Sequence, residues 1–160
     1  MTIRKTNASD FDAMWEIFHL VVAGGDTYTF APDTSRDEAI AYFHGPGIES
    51  WVADVNGRVV GMYKMIPNRR DLGSHVANAS FMVSPSAQGM GVGRAMGEHC
   101  LDQARKAGYK AMQFNFVVST NTAGVALWKK LGFEIIGTVP KAFNHAKLGL
   151  VDAYVMYRFL

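Results

Sequence analysis

Cysteine is nearly absent from this sequence: Cys100 is the only one among 160 residues. A single cysteine cannot form an internal disulfide, so the fold depends on its core, and a cytoplasmic location is favoured. The chain also lacks any apolar stretch that approaches the ~20 residues needed to span a membrane. Polar residues follow Met1–Lys5, where a signal peptide would carry a hydrophobic run. We therefore expect neither a membrane-spanning segment nor a signal peptide.

An excess of charge of one sign is also missing. The 16 Lys and Arg residues nearly balance the 14 Asp and Glu residues, which leaves a net charge of +2. Proteins that bind nucleic acid usually cluster their basic residues, and here these are scattered, so no nucleic-acid partner is expected. No spacing of His, Cys and Asp resembles a metal site, and we expect no metal.

Apolar residues are plentiful, at 49% of the chain against 19% charged residues. This balance is typical of a globular protein, and the length suits a single domain over residues 1–160. Alternating apolar residues predict seven strands: Ile3–Lys5, Trp51–Val55, Val59–Tyr63, Val76–Val83, Ala111–Val118, Glu134–Val139 and Val151–Phe159. Asn56-Gly57 between the second and third strands predicts a tight hairpin.

Four helices are predicted from apolar residues at helical spacing. The first follows a cap at Ser9 or Asp10, and the second follows a cap at Thr34 or Ser35. The third runs from about Gly91 to Ala107 and the fourth from about Thr122 to Leu131. The order of elements predicts an α/β (α+β) domain, in which one mixed sheet carries helices on both faces.

A glycine-rich turn joins the strand that ends at Val83 to the third helix. It contains Gly89, Gly91 and Gly93, which let the backbone approach a ligand because they carry no Cβ. Free N–H groups at a helix start attract anions, and Arg94 adds a positive charge within reach of a phosphate. The turn therefore suits a pyrophosphate, although a plain tight turn is the alternative. It is neither a Walker loop nor a dinucleotide fingerprint, since no Gly-Lys-Ser/Thr follows and the next strand ends without an acidic residue.

Two ordered motifs carry a family resemblance. Gln88, Gly91 and Gly93 match a Gln/Arg-x-x-Gly-x-Gly/Ala signature directly after Val83-Ser84-Pro85. A second block downstream matches at Asn121, Leu127, Leu131, Gly132 and Phe133. By these motifs, their separation and the element order over the whole chain, the sequence resembles the GCN5-related N-acetyltransferase (GNAT) superfamily.

The resemblance implies a mostly antiparallel central sheet in which the strands ending at Val83 and starting at Ala111 splay apart to admit acetyl-CoA. Backbone amides from Gln88 to Arg94 would hold the pyrophosphate. The strand end at Met82 and Val83 would pair with the pantetheine amides, and Asn121 would bond to the same arm. The implied cofactor-binding residues are Met82, Val83, Gln88, Gly89, Gly91, Val92, Gly93, Arg94, Asn121 and Trp128.

The sequence departs from the family pattern at two positions. Gly124 replaces the usual alanine. Trp128 replaces the usual tyrosine, which in many members protonates the departing thiolate, and an indole N–H cannot act as that acid. Either Trp128 packs on Phe133 across the helix end, or it contacts CoA. Water or a nearby tyrosine would then supply the proton.

Asn78 and Asn115 are the candidate catalytic residues. Alternation places Asn78 on one face of its strand, together with Ser80 and Met82. On the next strand it places Gln113 and Asn115 on one face, and the opposite face carries Met112, Phe114 and Phe116. Both amides are expected at the splayed gap, where they can donate to a developing oxyanion or hold a substrate carboxylate. The alternative is that they only satisfy backbone groups at the sheet edge.

No Asp or Glu lies between Val76 and Val83, so the usual strand-borne base is missing. An amine nucleophile must still lose a proton. The remaining candidates for the base are Asp26, Glu16, His75 and His145. Cys100 lies on an apolar helix face and is interpreted as a core residue rather than a nucleophile.

Three functions remain open. The first is acetyl-CoA-dependent acetylation of a small amine or amino acid, which is favoured because the expected loop Pro140–Gly149 carries the basic residues Lys141, His145 and Lys147. The others are acetylation of proteins or peptides, and a catalytically silent acyl-CoA-binding module. Phe114–Asn121 and Val151–Tyr154 more weakly resemble azetidine-2-carboxylate and proline-analogue acetyltransferases. The expected partner is a small acceptor molecule, with a homodimer as a further expectation.

Overall fold

Seven strands form one sheet in the order β1-β2-β3-β4-β5-β7-β6, as described for residues 1–160 by a computed structural model. The strands are β1 Thr2–Lys5, β2 Glu49–Val55, β3 Arg58–Pro67, β4 Val76–Val83, β5 Ala111–Val118, β6 Glu134–His145 and β7 Gly149–Phe159. The helices are α1 Phe11–Ala23, α2 Arg36–Phe43, α3 Val92–Lys106 and α4 Thr122–Lys130. All neighbouring strands are antiparallel except β4 and β5, which confirms the predicted fold class.

Local sequence signals account for the turns and caps. Asn56 and Gly57 have φ angles of 55° and 82°, as the predicted tight hairpin requires. Ser35 caps α2, and Glu38 returns a bond to the Ser35 backbone, which completes a capping box. The cap before α1 begins earlier than predicted. The Asn7 side chain accepts a hydrogen bond from Ser9 N, and the Asp10 side chain accepts one from the Asn7 backbone N–H, which completes a capping box. Asp10 stands at the N-cap position of α1, as predicted, but its side chain makes no cap bond to this helix, because it accepts from Asn7 N across the short 3₁₀ turn Ala8–Asp10.

The helices cover both faces of the sheet. Helices α1 and α2 pack on one face, around residues such as Met14, Phe18 and Met82. On the other face α3 packs with Phe114 and Phe133. Cys100 is fully buried there, and its burial raises the pKa of the thiol, as suits a core residue. The two faces therefore have separate apolar clusters, with β4 and β5 between them.

Strand β5 contains an irregularity that places one side chain on the opposite face of the strand from the predicted one. The pairing with β7 shifts between Phe114 and Val117, where one extra residue enters β5. Because a one-residue shift exchanges the faces of a strand, Val117 rather than Phe116 shares the buried face of Phe114. The prediction that grouped Phe116 with Phe114 is therefore wrong, and Phe116 is exposed beside the gap.

The expected loop Pro140–Gly149 is mostly strand. β6 continues to His145 and meets β7 through a short turn, with a pairing shift between Val139 and Phe143. Pro140 is tolerated because β6 is an edge strand, which needs no N–H on its open side. Lys141 takes up the shift with a φ of 50°, and its N–H donates to Asp152 Oδ1 at 2.9 Å.

Candidate active site

The sheet opens between its two parallel strands. β4 and β5 pair only at Val76 with Ala111 and at Ala77 with Met112, and no pairing follows. At the next position Asn78 Nδ2 donates to Gln113 O at 2.8 Å, so a side chain bridges the strands where the backbone ladder ends. The predicted splay is confirmed, and Asn78 lies at its closed end.

A cavity of about 310 Å³ fills this gap. Its walls come from both faces of the sheet. Phe81, Phe114 and Trp128 belong to the α3 and α4 side, whereas Tyr28 and Tyr42 belong to the α1 and α2 side. No Lys, Arg, His, Asp or Glu is among the lining residues. The gap is thus a passage through the sheet with neutral polar and aromatic walls.

The glycine-rich turn presents unpaired N–H groups at the start of α3. Gly89 and Gly91 both have a φ of 78°, and a Cβ on either would point into open space. The first bond of the helix runs from Ala95 N to Gly91 O, and no side chain caps this end. The N–H groups of the first helical residues therefore face outward together, as an anion site requires.

The side chains of this turn contribute unequally. Gln88 is exposed, whereas Val92 is buried in the core and offers only its N–H to a ligand. A Cβ on Gly93 would lie 3.4 Å from Leu127 Cδ2, an ordinary contact distance, so packing against α4 does not by itself require glycine here. Arg94 is held by Glu98 through a bond of 2.8 Å on the exposed face of the helix. The backbone N–H groups, rather than the paired Arg94, are therefore the groups of this turn that are left open to an anion.

The end of β4 directs alternate backbone groups into the gap. Ser84 N donates to Val60 O, so Ser84 and the residue two before it, Met82, turn their backbone groups toward β3. The side chain of Met82 is buried against α1. The groups that face the gap are those of Phe81 and Val83, which moves the expected pantetheine contact from Met82 to Phe81.

Asn121 caps α4 at the edge of the cavity. Its Oδ1 accepts from Gly124 N at 3.0 Å, which leaves Nδ2 as the group available to a ligand. A Cβ on Gly124 would lie 2.7 Å from Asn121 Nδ2. The glycine in place of the usual alanine therefore makes room for this position of the Asn121 amide.

Trp128 belongs to an aromatic cluster on the cavity wall. Its ring centroid lies 4.9 Å from Phe81, 4.8 Å from Phe114 and 6.2 Å from Phe133. The packing role that the sequence suggested is thus present, and the same side chain lines the cavity.

Asn78 and Asn115 both line the cavity and both are already hydrogen-bonded. Asn115 Nδ2 donates to Asn68 Oδ1 at 2.7 Å, and Asn115 Oδ1 accepts from Gln113 Nε2 at 2.9 Å. Each amide nitrogen carries two N–H groups, so each retains one donor beyond these bonds. The two amides are held in fixed positions at one end of the gap, where a second N–H can meet a ligand.

A sequence model of the Acetyltransferase (GNAT) family matches residues 12–133. The chain belongs to this family.

Relatives of known structure and function extend the match beyond these residues. A GCN5-related N-acetyltransferase from Kribbella flavida is 42% identical, with 99% of this chain and 97% of that one covered and a TM-score of 0.94. The yncA protein of Salmonella typhimurium, solved with acetyl-CoA, is 27% identical, with 100% of this chain and 94% of that one covered and a TM-score of 0.88. The L-amino acid N-acyltransferase MnaT of Escherichia coli is 28% identical over 88% of this chain and 84% of its own. The protein is a GNAT N-acetyltransferase with acetyl-CoA as its donor.

Several residues of this GNAT site lie outside the two sequence motifs. Tyr28 and Phe30 stand in the connection between α1 and α2, and both line the cavity. Tyr28 donates to Phe81 O at 2.7 Å, and Tyr42 bonds to Ser80 Oγ at 2.7 Å. Burial raises the pKa of Tyr28 and of Tyr42, so both hydroxyls stay protonated at neutral pH.

The four acid–base candidates named from the sequence lie elsewhere. Asp26, Glu16, His75 and His145 are absent from the cavity walls. No cluster of three or more His, Cys, Asp or Glu side chains is placed to hold a metal ion. None of the helices combines the length and the apolar character that crossing a membrane demands.

Trp128→Phe should lower turnover less than tenfold. Phenylalanine keeps the aromatic packing on Phe81 and Phe114, and the indole N–H was never a proton donor for the thiolate. Steady-state kinetics measure this effect on the Trp128→Phe variant, once circular dichroism has shown that it is folded. A loss above a thousandfold would reveal a chemical role of Trp128 beyond packing.

Lys64 lies beside the cavity without a counter-ion. It is 5% exposed, and its Nζ lies 3.2 Å from the ring centroid of Tyr42. No ion pair of the protein includes it. Desolvation lowers the pKa of Lys64 from 10.5 to about 8, because burial disfavours the charged form.

Lys64→Met should therefore raise the free energy of unfolding at neutral pH, by about 3 kcal/mol. The cost of the buried charge is fully present below the folded pKa of about 8 and vanishes as the pH approaches the unfolded value of 10.5, where lysine is neutral in both states. The gain should accordingly shrink as the pH rises between these values. Urea unfolding across this range measures it, with the exposed Lys110→Met as control. An equal gain in both variants would contradict the assignment to burial.

Proposed function

We propose that this GNAT enzyme transfers the acetyl group of acetyl-CoA to the amino group of a small amino acid, by direct attack of the amine on the thioester. The observation that carries the proposal is the passage between β4 and β5, whose walls belong to both faces of the sheet. Acetyl-CoA approaches from the glycine turn and the acceptor from the α1 and α2 side. A volume of about 310 Å³ suits a small molecule.

The reaction needs donors for charge that appears during attack. The neutral amine adds to the thioester carbonyl carbon, and the carbonyl oxygen becomes negative. The remaining N–H groups of Asn78 and Asn115 stabilise this oxygen or position the acceptor. Collapse of the intermediate breaks the C–S bond, the amine nitrogen loses a proton, and the CoA thiolate takes one up.

Water carries these protons in the mechanism that the cavity favours. The two tyrosines in its walls, Tyr28 and Tyr42, are protonated at neutral pH and are donors rather than bases. No carboxylate or imidazole lines the cavity. The acceptor therefore enters as its neutral amine or transfers its proton to solvent. Tyr42, whose hydroxyl is hydrogen-bonded to Ser80, lies on the acceptor side and can return a proton to the thiolate through water.

Small amino acids are favoured as acceptors by relatives as well as by size. MnaT, which aligns with most of this chain, is an L-amino acid N-acyltransferase. The basic residues of the β6–β7 hairpin no longer support an anionic acceptor, since Lys141, His145 and Lys147 do not line the cavity. The resemblance to azetidine-2-carboxylate acetyltransferases, the homodimer and the cytoplasmic location stay predictions.

A thiol-release assay with an acceptor panel tests the proposal. The panel comprises aliphatic and cyclic amino acids, polyamines, and peptides with free N-termini, each with acetyl-CoA. We expect release with one or more amino acids and identification of the N-acetyl product by mass spectrometry. Release with peptides alone would favour a protein N-acetyltransferase. Binding of acetyl-CoA without release for any amine would favour a silent acyl-CoA-binding module.

A further inference from the structure

Lys64 is a buried cation that no part of the mechanism above uses. Charged lysines are rarely buried unless an anion pairs with them, because desolvation is costly. Here the ammonium lies over the face of Tyr42, at 3.2 Å from the ring centroid, and it takes part in no ion pair. A cation–π contact of this kind offsets only part of that cost. The ammonium of Lys64 can therefore still attract an anion.

The register of the sheet places Lys64 directly behind the acceptor half of the cavity. Lys64 pairs across strands with Ser80 on β4 and with Ser50 on β2, so these three side chains share one face. Tyr42 and Ser80 are both cavity walls and are bonded to each other at 2.7 Å. One layer of side chains thus separates the ammonium from the space where the acceptor enters.

The walls of the cavity contain no charge of their own. Interactions between charges are stronger away from bulk water, so an unpaired ammonium behind a neutral wall sets the sign of the potential inside. The groups facing Lys64 are Tyr42 from α2, Ser80 from β4 and Ser50 from β2. Tyr28 lies beside Ser80, and no carboxylate is within ion-pairing distance of the lysine.

We propose that Lys64 selects acceptors that carry a carboxylate, namely free amino acids, over amines and amides without one. The inference rests on the proposed function, since it concerns the acceptor of that reaction. The carboxylate is charged before, during and after acetyl transfer. Its attraction to Lys64 therefore changes acceptor binding, and hence KM, much more than kcat.

Lys64→Met tests this role, with an amino acid that the wild-type enzyme acetylates and the carboxamide of the same amino acid as paired acceptors. We expect the KM for the amino acid to rise at least tenfold, while the KM for the carboxamide changes less than threefold. The kcat for both acceptors and the acetyl-CoA affinity by calorimetry should stay within threefold. Comparing variant with wild type for each acceptor cancels the difference between the two acceptors' own amine pKa values.

The pH dependence supplies a readout that a purely structural lysine would not change. The pKa of Lys64 is about 8, so its charge is present below this pH and is lost as the pH rises through it. The advantage of wild type over Lys64→Met for the amino acid should shrink in that range, with no such trend for the carboxamide.

Two results would overturn the proposal. Equal rises of KM for both acceptors would make Lys64 a structural residue, and an equal fall of kcat for both would make it a proton acceptor. Failure of the wild-type enzyme to acetylate any amino acid would instead overturn the proposed function, and this outcome is visible before any variant is compared.

Discussion

Gly91→Val should weaken acetyl-CoA binding at least a hundredfold. Gly91 has a φ of 78° at the start of α3, a conformation that β-branched residues rarely adopt. Its missing Cβ would point into open space, where the pyrophosphate is expected, so a valine would occupy that space. The variant would also turn the first N–H groups of α3 away from their common direction. Calorimetric titration with acetyl-CoA measures the loss.

Gly108→Val is the matched control for this experiment. Gly108 follows the other end of α3, with a φ of 86° and equally open surroundings. It should show a similar loss of thermal stability and nearly unchanged acetyl-CoA affinity. Unchanged affinity in folded Gly91→Val would remove the pyrophosphate from this turn, and equal loss of affinity in both variants would attribute the effect to backbone strain.

Asn78→Ala and Asn115→Ala should each lower kcat/KM at least tenfold. Removal of one oxyanion donor usually costs about 10² to 10³ in rate, and loss of an acceptor contact raises KM. Asn78 also bridges β4 to β5, and Asn115 is fixed by Asn68, so each substitution also loosens the closed end of the gap. Steady-state kinetics with both substrates varied separates kcat from KM.

Three further measurements separate a role of these amides in catalysis from a role in acetyl-CoA binding. Acetyl-CoA affinity should change little in Asn78→Ala and Asn115→Ala, whereas Asn121→Ala should weaken it, because Asn121 lines the cavity and the bond from Gly124 N occupies only its Oδ1. Asn144→Ala, an exposed amide on β6, is the control without an expected effect. Near wild-type kcat/KM in both Asn78→Ala and Asn115→Ala would show that these amides are structural only.

The parts of the fold that were predicted well depend on short-range rules. Asn56-Gly57 requires a tight hairpin because few residues adopt positive φ at both positions. The glycine turn before α3 and the glycines that end helices follow the same logic. The strand pattern of β4 predicted that Asn78 lies at the gap, and it lines the cavity, because β4 pairs with β3 without a register shift up to Val83.

The errors arose where pairing between distant strands decides the local structure. The extra residue in β5 exposes Phe116, and its presence depends on the register with β7. Pro140 was interpreted as a strand end, yet it is compatible with a strand at the sheet edge. Neither the register nor the edge position can be obtained from a local pattern of residues.

Apart from Asn78 and Asn115, which follow from strand alternation, the candidate site was predicted only for residues that belong to motifs. Lys64 occupies an alternating strand and carries no signal of its own, since its environment comes from Tyr42 of α2 and Ser80 of β4. Asn68 reaches Asn115 across 47 positions of sequence, which no spacing rule anticipates. Such contacts depend on how β3, β4 and β5 lie side by side.

Initial-rate kinetics with acetyl-CoA and an active amino acid both varied tests the central claim most directly. The passage between β4 and β5 is proposed to hold donor and acceptor at the same time, with attack of the amine on the thioester and no acetylated enzyme. Double-reciprocal plots should therefore intersect, as they do when both substrates bind before any product leaves. Parallel lines, with release of CoA in the absence of acceptor, would require a covalent acetyl-enzyme and would contradict this account.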